Sequence, residues 1–87
     1  MKIKRNCTVQ ALRGKYLVII YSADRAPQGI EVNESFAMLL KKAITLGEFS
    51  EEDIASLMVE LYDLDADTAK EEATKTIALW LENGICE

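Results

Sequence analysis

Eighty-seven residues, 49% hydrophobic and 29% charged with one proline and four glycines, have the composition of one ordinary globular domain spanning 1–87. They exclude a second folded unit and a disordered or collagen-like chain. Ten Lys and Arg against fifteen Asp and Glu leave a net charge of −5, which opposes a nucleic-acid backbone unless the basic groups are gathered on one face.

The first element is an alternating segment. Cys7, Val9 and Ala11 recur at even spacing after an irregular lead-in, predicting a strand over 7–12. Arg13-Gly14 supplies a turn, and the run Tyr16-Leu17-Val18-Ile19-Ile20-Tyr21 is rich in β-branched and aromatic residues, predicting a second strand that forms a hairpin with the first. At six residues this longest apolar run is far short of the roughly twenty that a bilayer helix needs, so no membrane span is expected. Ser22 to Gly29 contains the only proline and reads as a polar loop, and Gly29 to Val32 reads as a short third strand ending at Asn33.

The hydrophobic period then changes from two to 3.6. Phe36, Leu39, Leu40, Ala43 and Ile44 form the stripe of a first helix, capped by Asn33 and stopped by Gly47. Ser50 opens a second helix, with Glu51, Glu52 and Asp53 complementing its dipole and Ile54, Leu57, Met58, Leu61 and Tyr62 as its stripe. Asp65 or Asp67 caps a third, whose apolar face includes Ala69, Ala73, Ile77 and Trp80, and Gly84 closes it with Ile85 beyond the cap. The expected order is β-β-β-α-α-α, an α+β fold with a three-stranded antiparallel sheet followed by three helices.

Little in the sequence points to catalysis. Histidine is absent, which removes His-based triads and most zinc sites. Asp63, Asp65 and Asp67 have the spacing that starts a calcium loop, but position twelve is Thr74 where the closing glutamate belongs. Cys7 and Cys86 lack CxxC spacing and follow no signal-peptide pattern, so they are expected to be reduced in a cytoplasmic protein. These readings lead to the expectation of a protein that is not an enzyme and uses neither a metal nor a cofactor.

Charge is segregated along the chain. Residues 1–28 carry six basic groups against Asp24 alone, a local balance of +5, whereas residues 29–87 carry four against fourteen, −10. Two short helices followed by a third also suit a winged helix-turn-helix DNA-binding regulator, with 65–83 as the recognition helix. Across that helix, however, Asp65, Asp67, Glu71, Glu72 and Glu82 outweigh Lys70 and Lys75, so nucleic acid is not the expected partner.

Several segments, taken in order, are similar to the PqqD-like family, named after the pyrroloquinoline-quinone synthesis protein D and also known as precursor-peptide recognition elements of ribosomal peptide (RiPP) biosynthesis. Gly29-Ile30-Glu31-Val32-Asn33-Glu34 resembles the family's I-x-L-N-E and is followed by Phe36-Ala37-x-Leu39-Leu40. Ser50-Glu51-Glu52-Asp53-Ile54-Ala55 stands in place of T-x-E-E-I, Glu60-Leu61-Tyr62-Asp63-Leu64-Asp65 resembles E-E-Y-D-V-D, and Asn83-Gly84-Ile85 resembles the closing x-G-L. The likeness spans 29–85, with departures at Val32, Lys41, Lys42, Ala73 and Thr76.

The resemblance implies a winged-helix-like domain that is a non-catalytic adaptor or peptide chaperone. Such a domain captures the leader of a ribosomally made precursor peptide by strand addition and presents it to a modifying enzyme, often a radical SAM enzyme. Strand addition has its own physical basis, since an edge strand offers unpaired N–H and C=O groups. On a helical wheel with Ile77 at zero, Ala69, Ala73, Thr76 and Trp80 form the core side and Lys70, Thr74 and Leu81 the other. The expected peptide-binding residues are therefore Ile30, Glu31, Val32, Lys70, Thr74, Ile77 and Leu81.

Overall fold

Side-chain alternation builds the first layer. In the computed structural model, which describes residues 1–87, β1 (Cys7–Leu12), β2 (Lys15–Ser22) and β3 (Arg25–Val32) form an antiparallel meander in the order β1-β2-β3. Val18 and Ile20 of β2 are buried together with Cys7 of β1, and Val9, Ile30 and Val32 pack beside them on the same face. The helices α1 (Glu34–Leu46), α2 (Glu51–Tyr62) and α3 (Ala66–Glu82) follow, giving the expected α+β arrangement.

One boundary differs from the sequence expectation. The third strand begins at Arg25, not Gly29, and the connection from β2 is the two-residue turn Ala23-Asp24. Proline normally argues against a strand because it has no N–H to donate. Pro27 is accommodated here because β3 is an edge strand and the pairing slips near it, between Ile20 and Ser22.

The helix ends follow the residues that satisfy their free backbone groups. The Asn33 side chain accepts from the Phe36 N–H at 2.8 Å. Ser50 and Asp53 form a reciprocal capping box, with Asp53 N–H donating to Ser50 Oγ at 3.2 Å and Ser50 N–H to Asp53 Oδ2 at 2.9 Å. Asp65 occupies the cap of α3 without a side-chain hydrogen bond there. At the far end of α3, Gly84 takes φ +72°, its N–H donates to Leu81 O and the Ile85 N–H to Trp80 O at 2.7 Å. This pairing closes the helix and sets Ile85 against Trp80, the third residue from the helix end.

Trp80 is the centre of the core. It has no exposed surface and meets Phe36 edge-on at 6.2 Å and Phe49 at 5.9 Å between ring centroids. Residues 1–4 pack across the ends of the helical layer. Lys2 and Glu87 exchange backbone hydrogen bonds at 2.9 Å, Lys4 N–H donates to Ile85 O, and Phe49 N–H donates to Met1 O. The segment carrying Ile85 is thereby held on both sides.

Candidate peptide-binding groove

Two features meet along one side of the molecule. The outer edge of β3 has no strand beside it, so half of its backbone groups point away from the sheet. Next to that strand an apolar groove of about 190 Å³ is lined from the sheet by Val18, Ile30 and Val32, and from α3 by Leu79, Trp80 and Asn83. Phe36 and Ile85 complete it, so that both sequence-legible helix ends, the Asn33 cap of α1 and the Gly84 closure of α3, hold residues of the site. The space is smaller than the roughly 300–1,000 Å³ of a small-molecule or cofactor cleft, and it fits an apolar side chain better. A second depression, lined by Tyr62, Glu72 and Thr76 among others, adjoins it at Phe36.

No residue lining the groove titrates. Its polar groups are the Asn83 amide, which donates to Leu79 O at 2.8 Å, and the Trp80 indole N–H, which is shielded from water and has no acceptor. A buried donor left unpaired costs roughly 1–3 kcal/mol. Such a surface can hold an apolar side chain, and it carries no acid, base or nucleophile.

The structure brings together only part of the sequence-derived site. Ile30 and Val32 face the groove half-buried, and Glu31 points to solvent beside Lys15 at 3.9 Å. Ile77 is buried in the core at 3% exposure. Lys70, Thr74 and Leu81 are exposed and do not line the groove, and the Thr74 hydroxyl donates to Lys70 O at 3.1 Å. The flank of α3 that faces β3 across the groove carries Leu79 and Asn83 instead. Leu79 was legible only as an apolar residue off the main stripe, 51% exposed, which a wheel alone assigns to no partner.

The two thiols lie outside the groove. Burial pushes the Cys7 thiol above its ordinary pKa, Lys4 draws it part of the way back and Cys86 pushes it up again. Burial likewise raises Cys86, against the pull of the terminal amine and Lys4. Both are free, and at neutral pH both are protonated and hence weak nucleophiles. No three of the Cys, Asp and Glu side chains gather closely enough to hold a metal ion, and no helix is long and apolar enough to cross a membrane. Compared with protein-family models, curated proteins and solved structures, the chain matches none.

Proposed function

We propose that this protein is a non-catalytic peptide-binding adaptor of the PqqD-like kind, acting in the cytoplasm. It captures the leader of a ribosomally made precursor peptide and presents it to a modifying enzyme, in this reading a radical SAM enzyme. The observation that carries the proposal is the unpaired edge of β3 lying beside an apolar groove with no titratable lining. An extended peptide pairing with β3 gains main-chain hydrogen bonds, while alternate side chains reach Leu79 and Trp80. The motif order from Gly29 to Ile85 supports the same reading.

The DNA-binding alternative has the element order in its favour and the charge against it. Helix α3 is net acidic, and a major-groove helix needs Lys or Arg along its exposed side.

Trp80 is the only tryptophan and lines the groove, so its fluorescence reports occupancy directly. Titrating the protein with a synthetic leader peptide, taken from a precursor gene adjoining its own, is expected to give a saturable emission change. Duplex DNA at physiological salt is expected to give none. A salt-sensitive response to DNA with no response to the peptide would reverse the assignment.

A further inference from the structure

The opposite face of the sheet poses a separate question. An antiparallel sheet with one face in water ordinarily alternates apolar and polar residues, yet β2 is apolar on both sides. Val18 and Ile20 enter the core, whereas Leu17, Ile19 and Tyr21 project the other way and do not belong to it. Leu12, 60% exposed, extends this ridge, and the Thr8 hydroxyl beside Ile19 is shielded without any hydrogen-bond partner. No helix covers this face.

We infer that the face is covered by the same face of a second copy, in a two-fold sheet-on-sheet dimer. Self-complementarity is what selects this occupant. Ile19 stands directly opposite Gly29, where a Cβ would meet nothing within 4 Å, so each copy carries both a ridge and a trough to receive its partner's. Lys15 and Glu31, 3.9 Å apart on the same face, are of opposite sign, so a two-fold axis passing between them sets each charge near its complement on the other copy. A face three strands wide and about six residues long covers about 14 by 20 Å, roughly 280 Å² on each copy, below the size of standard stable interfaces and in the range of weak, transient ones. The dimer is therefore weak and forms only at high protein concentration. It leaves the outer edge of β3 and the groove open on both copies.

Sedimentation equilibrium from about 5 to about 500 µM tests this directly. The wild-type chain is expected to pass from monomer mass to twice that mass across the range, and Ile19→Lys to remain monomeric. Lys15→Glu is expected to weaken association at least about 10-fold and Lys15→Glu with Glu31→Lys to restore it. Both charged positions are exposed, so this pair remains decisive even where Ile19→Lys disturbs folding. A wild-type chain that stays monomeric throughout overturns the proposal and leaves the face to a different protein. A dimer indifferent to the charge reversals overturns it as well.

Discussion

Trp80→Ala is expected to cost about 3–5 kcal/mol, the cost of truncating a large buried aromatic. A domain of this size has a total stability of only about 4–13 kcal/mol, so the variant loses about a quarter of it or more. The melting temperature is expected to fall by at least about 12 °C. The magnitude follows from position. Trp80 is fully buried and meets Phe36 and Phe49 edge-on, so its truncation empties the middle of the core. Trp80→Phe is the milder comparison. It keeps an aromatic ring, removes the unpaired indole donor and is expected to cost less than about 2 kcal/mol. Thermal unfolding followed by circular dichroism measures both. A Trp80→Ala protein melting within a few degrees of wild type would mean that the core is not organised around this residue.

The largest functional effect is expected from a matched pair on one helix. Leu79 and Leu81 are the same residue type in α3, 51% and 50% exposed, and lie on nearly opposite sides of it. Only Leu79 lines the groove beside β3. Leu79→Asp sets a charge where an apolar peptide side chain is to rest and is expected to weaken leader binding about 30-fold, an anchor-sized loss of about 2 kcal/mol. Leu81→Asp is expected to leave affinity within about twofold. Calorimetric titration of folded variants decides between the two flanks. Loss at Leu81 with indifference at Leu79 would move the peptide to the side carrying Lys70 and Thr74.

What the sequence discloses and what it conceals divides along physical lines. Local signals are legible: Asn33 and Ser50 start helices because their side chains satisfy free N–H groups, and Gly84 ends one because it tolerates a positive φ. The beginning of β3 is concealed because proline is excluded from central strands and tolerated at an edge, and only the assembled sheet says which strand is the edge. The groove is half-legible for a similar reason. Ile30 and Val32 follow from strand alternation. The flank of α3 that faces them across the groove does not, because a helical wheel defines the core stripe while leaving its two borders equivalent. Ile77, at one border, is drawn fully into the core, and Leu79, beyond the other, lines the site. The doubled hydrophobicity of β2 is visible as an unbroken apolar run, and its meaning depends on knowing that the helices cover one face only.

Strand addition at β3 makes a claim about individual backbone groups, and amide hydrogen exchange reads them one by one. In the free protein the outward-facing N–H groups between Gly29 and Val32 have no partner strand and are expected to exchange rapidly. Saturation with the leader peptide is expected to slow exchange at alternate residues of that segment, leaving the outer edge of β1 unchanged. A peptide that binds, by calorimetry, while these β3 amides exchange as fast as before would contradict pairing at this edge.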